Sequence, residues 1–240
     1  GWQERLTGRL PEAIDINAVD LAIECVPEQV SLKRKVLRDL AKRLPASTLI
    51  ASNSSYFTPS MLSRFVDHPA NYLHLHFHAP IHQATIVDVA LGPETDRDWI
   101  PIVEAFAIRI GQKPIVQTVE NPGYIFNWLL QATLKAALEL VDRGVAKPHD
   151  IDLAWRTVTG MKSGPFAMMD LIGIDLIHQV LTASRWMGDE SKTQRLIEIL
   201  EPYVHSQRLG LKTGEGFYQY DSNATASSRR IDPGPESSTQ

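Results

Sequence analysis

Apolar positions in the first 120 residues alternate between two spacings. Residues 19–26 (VDLAIECV) form a mostly continuous apolar run ending at Pro27-Glu28, the pattern of a strand buried on both faces. The next segment, 30–44, places Val30, Leu32, Val36, Leu37, Leu40, Ala41 and Leu44 at helical spacing, with basic residues between them and Pro45 as a stop. A second strand over 48–51 leads into the polar turn Ser52-Asn53-Ser54-Ser55, and a short helix follows over 59–66. Strands over 72–77 and 85–91, a helix over 96–110 and a strand over 114–119 complete this half. Strand, crossover helix and strand in succession predict a doubly wound, mainly parallel sheet.

The character changes after Asn121-Pro122-Gly123. Residues 124–141 read as one long helix, apolar on all sides and therefore expected to be central. Further helices are predicted over 150–159, 166–183 and 193–204, with a last strand in GFYQY. The organisation that follows is a partial α/β domain over 1–120, an all-α domain over 121–220, and a polar tail over 221–240 whose Ser, Pro and Gly content predicts disorder.

Composition narrows the class. With 43% hydrophobic and 22% charged residues and a formal net charge of −4, the chain reads as an ordinary soluble globular protein without the basic footprint of a nucleic-acid binder. No run approaches the ~18 apolar residues of a membrane span. The single cysteine, Cys25, lies inside an apolar run and is expected to be a small buried hydrophobe. One cysteine excludes a disulfide framework and a thiolate metal site, and favours a reducing, cytoplasmic setting. The first ten residues lack the apolar core of a signal peptide.

A nucleotide-binding sheet of this kind normally opens with a strand, a GxGxxG turn and a helix whose N-terminus faces a pyrophosphate. The early glycines here are Gly1 and Gly8, with no buried strand before either, and residues 1–17 are too short for the unit. Two expectations follow: a piece of a longer protein, or a chain that has given up its dinucleotide. The first is favoured, because the downstream residues remain organised around a cofactor.

Four polar features carry the candidate chemistry. Ser52-Asn53-Ser54-Ser55 follows a buried strand, where open parallel sheets bind ligands, although taken alone a capped turn starting the next helix is the favoured reading. His68, His74, His76, His78 and His82 crowd into fifteen residues, and the middle three share one face of a strand. Imidazoles suit zinc, but Leu73, Leu75 and Phe77 intervene and no Cys or convergent Glu completes a site, so no metal is expected. Asp88 sits inside the apolar strand ATIVDVALG, where a carboxylate needs a partner. Its position twelve residues after His76 permits a strand, a reversal and a second strand, which would bring imidazole and carboxylate together as a general acid/base unit. Asn127 lies on the first turn of the long helix among apolar neighbours, as a capping amide or as a ligand contact.

Taken together the motifs resemble the 3-hydroxyacyl-CoA dehydrogenases. They are DLAIECVPE, ASNSS, HLHFHAP, IVDVALG, NPGYIFNWLL, GPFAMMDLIGID and RLGLKTGEGFYQY, in the family's order over about residues 18 to 220. The resemblance implies a Rossmann-like α/β domain followed by an all-α domain. It implies NAD as cofactor, an acyl-CoA thioester as substrate and a homodimer formed through the helical domain. His76 matches the catalytic base, Asp88 falls where a glutamate orients that base, and Ser55 and Asn127 match residues bonding the reacting oxygen and the thioester. Glu28 and Lys33 match positions near the nicotinamide ribose and the coenzyme A, and Asn53 joins them on the cofactor side. Three departures stand out: HFHAP replaces HFFNP, which removes an amide at Ala79 and adds His78; Trp128 replaces an arginine; and Asp88 is one carbon shorter than glutamate. Two functions are carried forward. One is NAD-dependent oxidation of an L-3-hydroxyacyl-CoA, as in fatty acid β-oxidation. The other is a non-catalytic coenzyme A-binding or dimerisation module without dinucleotide.

Overall fold

The computed structural model describes residues 15–184 and 190–220, without the side chains of Ala183 and Ser184. The chain divides into two compact units between Trp128 and Leu129. The first is built on five strands, β1 (Leu21–Glu24), β2 (Leu49–Ser52), β3 (Tyr72–Phe77), β4 (Ile86–Leu91) and β5 (Lys113–Val116), adjacent in chain order. Pairing is parallel for β1–β2, β2–β3 and β4–β5, and antiparallel for β3–β4. The mainly parallel sheet expected from the sequence is thus present, with one antiparallel step where the chain turns back on itself.

Alternation along the strands assigns the two faces. Leu49, Ala51, Leu73, Leu75, Val87 and Val89 pack with Val103 and Ala107 of α3 (Trp99–Arg109). Ile50 and Tyr72 pack instead with Leu37 of α1 (Val30–Arg43) and Leu62 of α2 (Pro59–Leu62). His74 and His76 follow Tyr72 at two-residue intervals, so both lie on the α1/α2 side of β3.

The second unit is helical: most of α4 (Phe126–Asp142), then α5 (Pro148–Thr159), α6 (Pro165–Ile172), α7 (Ile174–Ser184) and α8 (Glu190–His205). Leu134 and Leu138 of α4 pack with Phe166, Met169, Ile174, Leu196 and Leu200. Asp152 accepts the Phe166 and Ala167 N–H groups at 2.8 and 2.9 Å, satisfying orphan donors at the start of α6. Buried Asp170 accepts the Phe217 and Tyr218 N–H groups and the Tyr220 hydroxyl, at 2.9, 3.0 and 2.8 Å. Burial pushes its carboxyl above the usual range. A Cβ at Gly216 would lie 2.1 Å from that carboxylate, so the final segment needs glycine to approach it.

Four expectations are corrected. The helix predicted over 166–183 is two helices, broken at Gly173, where φ is 108°. GFYQY forms isolated bridges rather than a strand, because its Phe217 and Tyr218 N–H groups go to Asp170, the Gly216 N–H to the Tyr218 carbonyl and the Tyr220 N–H to the Gly214 carbonyl. Cys25 is exposed, while its neighbour Glu24 is buried, because Glu24 has a buried cation to pair with. Helix α4 buries only Leu134, Ala137 and Leu138, leaving Phe126, Trp128 and Leu129 more than half exposed. Residues 121–128 cluster with the sheet unit, where the Tyr124 hydroxyl is tied back to β3 and the β2 turn. The predicted disorder over 221–240 lies outside the described residues.

Candidate active site

The site grows from the antiparallel step. The β3–β4 register sets His76 directly opposite Asp88, and His76 Nδ1 lies 3.1 Å from Asp88 Oδ2. Across the imidazole, Nε2 lies 3.2 Å from the hydroxyl of Ser55, in the turn after β2. His76 and Asp88 are buried, whereas Ser55 is exposed at the C-terminal end of parallel strand β2. One end of the imidazole is therefore held by a carboxylate and the other faces an open hydroxyl, the arrangement of a positioned general base.

Asp88 has a second partner. His78, one alternation further along, places Nε2 2.8 Å from the same Oδ2, and its ring meets His76 edge-on at 4.7 Å. Burial pushes the Asp88 carboxyl up, but hydrogen bonds from His76 and His78 outweigh it and hold the group below its ordinary value. An ionised carboxylate can only accept, so both facing ring nitrogens carry protons. That tautomer leaves His76 Nε2 as the acceptor.

Behind His76 runs a hydrogen-bond chain whose direction is fixed. The Tyr124 hydroxyl donates to the Ser54 carbonyl at 2.6 Å, so its oxygen must accept from His74 Nδ1 at 2.9 Å. Burial first, with the Lys33 and His76 charges, lowers the His74 pKa to about 3, so the ring is neutral. Its Nε2 then accepts from the Tyr72 hydroxyl at 2.9 Å. The Tyr124 ring also stacks on His76, 8° from parallel with centroids 4.5 Å apart. Tyr124 adopts φ 56°, an uncommon conformation for a bulky residue. Its hydroxyl bonds and the stack hold it there.

Glu28 organises the serine turn. Its Oε1 accepts the Ser54 hydroxyl in a short hydrogen bond and the Tyr56 N–H at 2.9 Å, while Oε2 lies 3.3 Å from Lys33 Nζ. Asn53 Oδ1 accepts the Phe77 N–H at 2.8 Å, tying the β2 turn to the end of β3. Lys33 lies behind this turn. It is 1% exposed, and its ammonium is taken up by Glu24 at 3.0 and 3.1 Å, the Val26 carbonyl at 3.0 Å and Glu28. Asn127 is half-buried at the second position of α4, next to Phe126, whose ring meets His78 edge-on at 5.6 Å. Among the described residues the structure hydrogen-bonds His76, Asp88, His78 and Ser55 together; Asn127 is not hydrogen-bonded to them.

The sequence pattern did not single out Tyr124 or the partnership of Tyr72 with His74. A tyrosine after Pro-Gly and a histidine two residues after a strand tyrosine were the available signals. His68 and His82 face solvent.

Comparison with known proteins gives this geometry a context. Residues 5–120 match the family model described as 3-hydroxyacyl-CoA dehydrogenase, NAD binding domain, and residues 123–220 match its C-terminal domain. The chain belongs to the 3-hydroxyacyl-CoA dehydrogenase family. The mitochondrial hydroxyacyl-coenzyme A dehydrogenase of Rattus norvegicus is 30% identical over 205 residues, which are 85% of this chain and 65% of that protein. The chain therefore spans about two thirds of that relative's length. Mesorhizobium japonicum 5-formyl-3-hydroxy-2-methylpyridine 4-carboxylate 5-dehydrogenase is 29% identical over 92% of this chain and 71% of its own. Among solved structures, a diketoreductase described as acting on dicarbonyl compounds superposes with TM-score 0.79 at 36% identity, covering 85% of this chain and 71% of its own. The (S)-3-hydroxybutyryl-CoA dehydrogenase of Ralstonia eutropha gives TM-score 0.78 at 27% identity, covering 87% and 73%. No helix of this 3-hydroxyacyl-CoA dehydrogenase family member, among the described residues, is long and apolar enough to cross a membrane.

Proposed function

We propose that the protein carrying this chain oxidises an L-3-hydroxyacyl-CoA to the 3-oxoacyl-CoA with NAD. The observation that carries the reading is His76 held between the Asp88 carboxylate and the Ser55 hydroxyl. NAD, when bound, accepts the hydride from C3. The donor set fits that chemistry, since a base and a hydroxyl meet at the C-terminal end of a parallel strand, where open α/β sheets take their ligands.

The roles follow from proton positions. Ser55 donates to the substrate's 3-oxygen and keeps it within reach of His76 Nε2. Nε2 takes the hydroxyl proton while the C3–H electron pair leaves as hydride, so the carbon is oxidised and the oxygen becomes a carbonyl. The imidazolium so formed is stabilised by Asp88. Asn127 is assigned to the thioester, Glu28 and Asn53 to positioning the serine turn on the cofactor side, and Lys33 to supporting Glu28.

The test is NADH consumption with acetoacetyl-CoA by the intact protein. Asp88→Asn removes the charge that stabilises the imidazolium and is expected to lower kcat by about 10²-fold or more, within the range of general-base contributions, with KM little changed. Absence of NADH consumption across short- and medium-chain 3-oxoacyl-CoA substrates would overturn the assignment.

A second copy of the chain is the proposed partner of the helical unit. Leu153, Val158, Met161, Leu171 and Leu176 are each about half exposed or more, an apolar surface that association would cover. Sedimentation at micromolar concentration should show a dimer; a purely monomeric boundary would count against it.

A further inference from the structure

The sequence pattern offers histidines on one strand face with no Cys or convergent Glu to complete a site. The fold supplies a third donor. His76 Nδ1, His78 Nε2 and an Asp88 carboxylate oxygen all lie within 4.8 Å of one another, a grouping of two imidazoles and a carboxylate. We propose that these three residues bind a divalent transition ion of the zinc class, and that its occupation switches off proton transfer by His76. The switching half of the proposal rests on the dehydrogenase reading above; the binding half does not.

Donor chemistry supports the assignment. Imidazole nitrogen and carboxylate oxygen are ordinary zinc ligands at about 2.0–2.2 Å, and two histidines with one carboxylate leave further coordination positions open. The three donors are already oriented inward, since both nitrogens point at the same Oδ2, at 3.1 and 2.8 Å. A bound ion requires the donors, which lie up to 4.8 Å apart, to draw in by about an ångström around a common centre. His78 can supply that movement: it lies just past the end of β3, and its side chain is 12% exposed against 4% for His76 and 2% for Asp88. His74, on the same face, is excluded because both of its nitrogens are engaged by Tyr72 and Tyr124.

The functional consequence follows from counting protons. A neutral imidazole carries one. In the ion-free site that proton lies on His76 Nδ1, facing Asp88, and Nε2 accepts. An ion on Nδ1 drives the proton to Nε2, where it faces Ser55 and the substrate oxygen. The base then becomes a donor at the atom that must accept. The ion also takes the Asp88 oxygen that would have stabilised the imidazolium. No redox change and no co-reactant is involved.

The experiment is calorimetric titration of this chain with zinc chloride, repeated on His78→Phe and on His78→Gln. The glutamine variant keeps a side-chain amide beside Asp88 but removes a good zinc ligand. Expected is one saturable site of low-micromolar affinity, weakened in both variants by more than the about 10- to 100-fold that loss of an outer-shell partner costs. A His68→Gln/His82→Gln variant should bind as the parent does. Equal affinity in the parent and in a folded His78 variant would overturn the proposal, with zinc then on the surface histidines; so would absence of saturable binding at submillimolar zinc. In the intact enzyme, zinc should inhibit acetoacetyl-CoA reduction reversibly on chelation, and the residual turnover of the His78 variants should resist inhibition. Loss of the turnover assay alone would count against the dehydrogenase reading, whereas the titration decides the metal site independently.

Discussion

His76→Ala in the intact enzyme will abolish measurable turnover of acetoacetyl-CoA with NADH while acyl-CoA binding changes little. The imidazole interacts with the reacting proton only as that proton moves, so its loss falls on kcat rather than on ground-state affinity. General acid/base catalysis contributes about 10²–10⁴-fold. His76 also carries the stacking contact with Tyr124 and the contact to Ser55, so its removal loosens the serine too. The expected loss is at the upper end of that range. Steady-state kinetics together with acyl-CoA titration of the variant check it. Retention of most of the parental turnover would reject His76 as the base, and His78, already on the same carboxylate, would be the next residue to replace.

Lys33→Met will destabilise the sheet unit more than any surface substitution. The ammonium is 1% exposed and sits on Glu24, whose side chain is fully buried. Removing one partner of a buried pair leaves the other charge uncompensated, at a cost of about 3–5 kcal/mol. The damage would spread along the bonds Glu24 makes, to the Val26 N–H and to the Ser52 hydroxyl, and along Glu28 to the serine turn. Denaturant unfolding of the parent and the variant measures the loss. The double variant Glu24→Leu/Lys33→Met should recover part of it, because two apolar side chains leave no orphan charge. If the single variant unfolds within about 1 kcal/mol of the parent, the pair is not what holds α1 to the strand ends.

What was legible in the sequence was whatever local spacing determines. The period-2 and period-3.6 runs located β3 to the residue and α1 to within one. The contact between His76 and Asp88 was legible because twelve residues are enough for two strands and a turn, and two-residue periodicity puts both on one face. Harder features depended on partners distant in sequence. Glu24 and Cys25 look alike inside VDLAIECV, and only the cation nine residues later decides which is buried. Gly173 sits in an unbroken apolar pattern, so a helix was read straight through it. The resemblance places Lys33 near the ligands, while its pairing with Glu24 and Glu28 was not legible in local spacing. Tyr124 escaped notice because its value lies in contacts reaching back fifty and seventy residues, to His74 and Ser54.

The fixed direction of the Tyr72–His74–Tyr124–Ser54 chain restricts where a catalytic proton can travel. Each member passes its hydrogen one way, and the last acceptor is an amide carbonyl, which has no proton to release. Burial also keeps both phenols far above their ordinary range, so neither tyrosine ionises to restart the sequence. The core behind the base is therefore a blind alley: it transmits orientation and conducts no charge. In the proposed reaction a proton taken up at His76 Nε2 finds no exit through this hydrogen-bond chain, which leaves the Ser55 side and the Asp88–His78 side.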